Sequence, residues 1–99
     1  MAGSLQFDIQ GSYTANSPYF TANQGQTITV TLPTVGVAPV QVQILRDDPI
    51  NNNFLGTFDV PGSGGSVSVP VPVTGQHFCV VSCNPANVMN GTVTISTAP

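Results

Sequence analysis

Charge is what this sequence lacks most. Charged residues make up 5% of the 99-residue chain, against about 25% in an ordinary soluble domain. The sequence contains no Lys, no Glu and no Trp; Arg46 is the only cation, and the net charge is −3. Proteins that bind nucleic acid or anionic membranes need several Lys or Arg on one face, so the sequence predicts neither partner.

Long apolar runs are missing as well. No stretch approaches the ~20 apolar residues that cross a membrane, and the first eight residues lack the charged and apolar regions of a signal peptide. Hydrophobic residues nevertheless supply 40% of the chain, and Ser, Thr, Asn and Gln supply 34 residues. Disordered chains combine low hydrophobicity with high net charge, so this composition predicts one folded domain with a neutral polar surface.

Apolar residues alternate with polar ones along most of the chain, which is the pattern of half-buried β-strands. The clearest examples are segments 5–10, 27–32 and 40–44, and no segment keeps a helical period over two turns. Turn-forming residues separate about seven or eight such segments. The pattern therefore predicts an all-β fold, an antiparallel two-sheet β-sandwich of the Ig-like or jelly-roll-like kind.

The first ten residues are set apart from the rest. Leu5, Phe7 and Ile9 form one apolar face, and the turn-rich segment 11–26 separates them from the next clear strand. We expect residues 1–10 to be an N-terminal strand or an inter-subunit arm, and residues 11–99 to be the β-sandwich domain. Such an arm would dock its apolar face on an adjacent subunit.

Segment 75–84 is apolar on both faces. As a strand it places Cys79, Val81 and Cys83 on one face and Phe78 on the other. A strand of this kind is central in its sheet, or another layer covers its second face. Cysteines four residues apart in a regular strand are roughly 13 Å apart, whereas a disulfide needs about 7 Å or less. Three outcomes stay open: buried reduced thiols, a cross-link between subunits, or an internal bond across a bulge or turn.

Two prolines mark an edge of the sheet. Pro70 and Pro72 occupy alternate positions of a valine-rich segment, so both missing N–H donors face the same lateral side. That side cannot be fully paired with a neighbouring strand. We therefore expect this segment to be an edge strand or to border a gap.

Three stretches resemble bacterial surface β-sandwich modules of the immunoglobulin-like and pre-peptidase C-terminal-like group. They are a Gly-Gln-Thr strand in 17–32, a Thr-Gly-x-aromatic strand in 71–81 and a closing Gly-Thr-Val strand in 90–95. The resemblance implies a spacer, an adhesive unit or a filament subunit, and it transfers no functional residue. The two cysteines and the low charge depart from the group's pattern.

The sequence predicts no enzyme and no cofactor. His77 could complete a Ser-His-Asp triad, but the chain has no Gly-x-Ser-x-Gly elbow, and a lone strand His is usually packed. Asp47 and Asp48, followed by three asparagines, could ligate Ca²⁺, but their spacing matches no loop motif. The aromatic residues 13, 19 and 20 form either a sugar-stacking platform or part of the core.

The neutral surface and the lack of catalytic groups together predict a role. They favour a structural subunit of an extracellular or surface-attached assembly, such as a filament, appendage or coat, on a cell or spore surface. Its partner would be further copies of itself, and its assembly residues would be Leu5, Phe7, Ile9, Cys79, Val81 and Cys83. The alternatives are a carbohydrate-binding or adhesive module, with a glycan as partner, and a small hydrolase.

Overall fold

Nine β-strands make up the regular structure of the described residues. The computed structural model describes residues 3–36, 39–47 and 53–99. The strands are β1 (Gly3–Asp8), β2 (Thr14–Asn16), β3 (Phe20–Ala22), β4 (Thr27–Leu32), β5 (Val40–Arg46), β6 (Asn53–Val60), β7 (Gly65–Pro70), β8 (Gly75–Ser82) and β9 (Thr92–Ala98). None of the described residues belongs to a helix that is long and apolar enough to cross a membrane.

The strands form two antiparallel sheets. The first has the order β1-β9-β4-β7, and the second has the order β2-β8-β5-β6, with β3 also paired to β8. β5 pairs with β6, β4 with β7, β2 and β3 with β8, and β1 with β9. The strands before the β5–β6 hairpin thus pair, in reverse order, with the strands after it. This order is that of a jelly roll, and it confirms the predicted antiparallel two-sheet β-sandwich.

The core lies between the two sheets and is built from alternate strand positions. In β4, Ile28 and Val30 are completely buried. Thr29 lies on the opposite face, where its hydroxyl is 3.0 Å from that of Ser68 on β7. β-branched residues favour strands because their stiff side chains pack well on a pleated surface, so this segment forms a strand and sorts its residues by polarity.

β1 belongs to the first sheet of its own chain. Its register with β9 runs from Gly3 opposite Thr97 to Asp8 opposite Thr92. Ile9 is completely buried, and Leu5 and Phe7 are partly buried against the same core. The apolar face that was expected to dock on an adjacent subunit therefore covers the chain's own core.

The prolines lie at a sheet edge, as predicted. β7 ends the first sheet, and β4 is the one described strand that pairs with it. The Val71 N–H donates to the Gln26 carbonyl at 2.8 Å. Because pairing alternates along an antiparallel ladder, the nitrogen of Pro70 points away from β4. The missing donor therefore leaves no bond of this sheet unmade, and Pro72 lies beyond the end of the strand.

Segment 11–26 holds more structure than its turn-rich sequence indicates. It contains two short strands, β2 and β3, which lie end to end along β8. Residues 17–19 separate them, and the register with β8 shifts by one residue between Asn16 opposite Val80 and Phe20 opposite His77. The edge of the second sheet opposite β6 is therefore made of two pieces.

Candidate binding surface

A β-bulge in β6 decides which way Phe54 points. Strict alternation of side chains over residues 54–60 of the sequence predicts that Phe54 lies on the same face as Phe58 and Val60. In the structure Ile44 lies opposite Gly56, but the next residue, Leu45, lies opposite Phe54. Leu55 is therefore an extra residue that reverses the faces beyond it. Phe54 consequently points outward with 61% of its surface exposed, which corrects the prediction from the sequence.

The outward turn of Phe54 completes a row of four apolar side chains across the second sheet. Phe78 on β8 lies opposite Leu45 on β5, which lies opposite Phe54 on β6. Tyr19, just before β3, contacts Phe78 edge to face, with ring centroids 5.4 Å apart and an angle of 80° between the rings. We call Tyr19, Phe78, Leu45 and Phe54 the aromatic row.

The aromatic row is covered at its centre and open at its two ends. Phe78 and Leu45 are 8% and 5% exposed, although they lie on the outer face of the sheet, whereas Tyr19 is 62% exposed. The edge-to-face contact with Phe78 limits the rotation of Tyr19 before any partner arrives. The row thus presents two large exposed aromatic groups on the outer face of the second sheet.

Neutral polar side chains flank the row on both sides. Toward one end of the face, Val80 lies between Asn16 and Gln43 in the strand register. Toward the other end, the Gln76 side-chain amide donates to the Thr21 hydroxyl at 2.8 Å. These groups can exchange hydrogen bonds with a partner without the desolvation cost of a buried charge.

Acidic residues stand at the ends of the same face. Asp59 lies opposite Gln41 beyond the neutral side chains, and the Asp47 N–H donates to the Gln76 carbonyl at 2.8 Å. Both aspartates are exposed. The surface therefore favours a partner with an apolar centre and a basic rim.

The face of β8 that carries the cysteines is covered by the chain itself. Cys79 and Val81 are completely buried between the two sheets, and Cys83 packs partly buried beside them. Both cysteines are free thiols. Burial raises the pKa of the Cys79 thiol to about 12, although a hydrogen bond from Ser17 acts in the opposite direction. The two sheets of one chain therefore cover this face of β8, and no second chain is needed to bury it.

His77 lies in the same layer and is also completely buried. Its Nδ1 donates to the Gly75 carbonyl at 2.8 Å, and its ring stacks on Phe20 with a centroid distance of 6.1 Å. Burial lowers the pKa of His77; the Gly75 bond opposes this shift and the nearby Arg46 adds to it. Among the described residues, Nδ1 of His77 bonds a carbonyl and not a carboxylate, so the His–Asp hydrogen bond of a catalytic triad is not made there.

The other predicted site residues include two candidate calcium ligands and three aromatic residues. Asp47 is exposed on a loop, and Asp48 lies outside the described residues. Within the described ranges, no group of three or more His, Cys, Asp or Glu residues could hold a metal ion. Tyr13, Tyr19 and Phe20 do not form one platform, since Tyr19 points outward beside Phe78 while Phe20 packs against the core.

Comparison with known proteins identifies the fold through structure alone. No protein-family model matches the chain, and no curated protein matches it either. A solved structure with a similar fold is that of Aeromonas hydrophila PliG, described as a periplasmic lysozyme inhibitor of g-type lysozyme. The two share 18% identity with a TM-score of 0.65, over 98% of this chain and 86% of that chain. An identity this low establishes a shared β-sandwich fold.

This comparison overturns the role predicted from the sequence. A filament, appendage or coat subunit with further copies of itself as partner is the wrong interpretation, because a solved protein with a similar fold is described as an enzyme inhibitor. The structure supplies the physical reason, since the apolar faces assigned to assembly are covered within one chain. The resemblance to bacterial surface modules stays a prediction.

Proposed function

We propose that this protein is a non-enzymatic inhibitor that acts outside the cytoplasm and binds a peptidoglycan-cleaving enzyme of the lysozyme kind. The observation that carries the proposal is the aromatic row, with its two exposed rings on the outer face of a sheet. The fold shared with a periplasmic inhibitor of g-type lysozyme supports the same assignment.

The row has the properties of an interface anchor. Aromatic residues dominate binding energy because they bury much area while few torsion angles are frozen. Tyr19 is already ordered against Phe78, and Phe54 sits on a strand next to Leu45. Neither group needs a large rearrangement to meet a partner, so little conformational entropy opposes binding.

The face is small, so binding depends more on its aromatic anchors than on the area it can bury. Four strands about 4.8 Å apart and about six residues long present a face of roughly 400 Å². A stable interface buries about 800 Å² on each partner. Binding through this face must therefore depend on the two rings and on loops at its ends.

The direct test is inhibition of g-type lysozyme. The purified protein should slow the clearing of a peptidoglycan suspension and bind the enzyme in calorimetry. Tyr19→Ser and Phe54→Ser should each weaken binding at least about tenfold, as expected for loss of an aromatic anchor. Tyr13→Ser is the matched control, since Tyr13 is 48% exposed but lies beside Cys83, beyond the far end of β8.

Two results would reject the proposal. One is full lysozyme activity at protein concentrations well above those of the enzyme. The other is binding of the protein to the peptidoglycan itself, with no binding to the enzyme in the absence of substrate.

A further inference from the structure

The two outer edges of the first sheet differ in how well they are protected against pairing with a further strand. The β7 edge carries Pro70, whose nitrogen faces outward and cannot donate. The β1 edge has no such block. The Ile9 N–H donates to the Gly91 carbonyl at 3.0 Å, so the alternation of the ladder turns the N–H and C=O groups of Ser4, Gln6 and Asp8 outward. No described strand pairs with this edge.

A cleft opens between the two sheets beside the same edge. Its volume is about 190 Å³. Apolar and hydroxyl-bearing side chains line it together with a glycine; the residues are Leu5, Phe20, Ile95, Ser4, Thr21, Thr97 and Gly3. An apolar cavity of about 150 Å³ holds a benzene molecule, so this cleft can accept one Leu or Phe side chain.

The edge and the cleft are positioned to act together. A strand added to β1 would alternate its side chains between the outer face and the cleft. The residue opposite Leu5 would point between the sheets, and the residue opposite Asp8 would point outward. The outward groups of β1 repeat at every second residue, which is the spacing an extended peptide needs for main-chain pairing.

The negative charge at the end of β1 favours some peptide sequences over others. Asp8 is exposed at the end of β1 and is the only charged residue of this strand. A Lys or Arg in the residue opposite it would be attracted, whereas an acidic residue would be repelled. In an antiparallel strand the residue opposite Asp8 comes three positions before the residue opposite Leu5.

We propose that the β1 edge and the adjoining cleft bind an extended peptide segment of another protein. The segment adds antiparallel to β1, places an apolar side chain between Leu5 and Phe20, and carries a basic residue three positions earlier, opposite Asp8. This site does not include the aromatic row, although Thr21 lines the cleft and also accepts the hydrogen bond from Gln76 beside the row. It does not depend on the proposed inhibition.

The test uses a fluorescent peptide, Arg-Val-Thr-Leu-Thr-Val, titrated with the full chain and followed by fluorescence anisotropy. Its matched control, Arg-Val-Pro-Leu-Pro-Val, lacks the N–H groups that would face Gln6 and Ser4. On the protein, Gln6→Pro removes an outward N–H from the β1 edge. Ser68→Pro does the same on β7, because Ser68 occupies the same type of ladder position as Pro70.

Saturable binding of the first peptide, weakened at least about tenfold by the proline peptide and by Gln6→Pro, is the expected result. Ser68→Pro should bind as tightly as the parent chain. If Gln6→Pro does not fold, Thr97→Leu serves instead, because it fills the cleft and leaves the edge intact; it should weaken binding to a similar extent.

The proposal fails if the first peptide does not saturate the protein, or if it binds the edge and cleft variants as tightly as the parent chain. These results are distinguishable from a failure of the inhibitor proposal. Gln6→Pro should keep any lysozyme inhibition, and Phe54→Ser should keep the peptide binding.

Discussion

Ser17 takes the place of a strand residue beside Cys79. The Ser17 N–H donates to the Cys79 carbonyl at 2.8 Å, and the Cys79 N–H donates to the Ser17 hydroxyl at 2.8 Å. The hydroxyl in turn donates to the Pro18 carbonyl at 3.0 Å. A side chain thus completes the ladder of β8 at the gap between β2 and β3.

Ser17→Ala should destabilise the protein by about 1–3 kcal/mol, because it leaves the buried Cys79 N–H without a partner. Urea denaturation of both chains measures the difference. Ser68→Ala is the control, since its hydroxyl bonds Thr29 on the exposed face, and it should cost no more than about 0.5 kcal/mol. If Ser17→Ala lowered the stability as little as Ser68→Ala does, the prediction would be wrong, and water would be bonding the Cys79 N–H in place of the Ser17 hydroxyl.

The two cysteines should differ in reactivity. Cys79 is completely buried and its pKa is raised to about 12, so almost no thiolate is present at pH 8. Cys83 is only half-buried. An aromatic disulfide reagent should titrate one thiol in the native protein and a second after unfolding. Labelling of both at one rate, or a native mass lower by two hydrogens, would contradict this arrangement.

His77 should make the protein less stable in mild acid. Its pKa in the folded state is lowered from 6.5, so the unfolded chain takes up a proton more readily than the folded one. The contribution of His77 to the free energy of unfolding should therefore be constant above about pH 6.5 and fall as the pH drops below it. Urea denaturation at pH 7.5 and 5.5 measures this loss, in a range where most carboxyl groups remain ionised.

His77→Asn is the control for the acid effect. The Asn amide can still donate toward the Gly75 carbonyl, but it does not titrate. The variant should lose much of the difference in stability between the two pH values. A full pH dependence in the variant would assign the effect to another group.

Local patterns in the sequence predict much of this fold. The alternation in β4 and β5 depends only on the two-residue period of a strand, so it identified their buried faces correctly. Pro70 likewise marked its own edge, since a missing N–H acts at its own position whatever the partner strand is. Both inferences hold because the physical cause lies within the strand.

The binding surfaces were decided by tertiary structure. Leu55 reverses the faces of β6 only because Leu45 pairs with Phe54, and no pattern within β6 indicates which residue will be unpaired. The sequence correctly predicts that segment 75–84 is apolar on both faces, but the layer that covers Cys79 comes from strands distant in the chain. Side-chain alternation is local, and it sorts the residues of a strand between two faces. Strand pairing and the packing of the two sheets depend on distant segments. They determine which face meets the core and which face meets a partner.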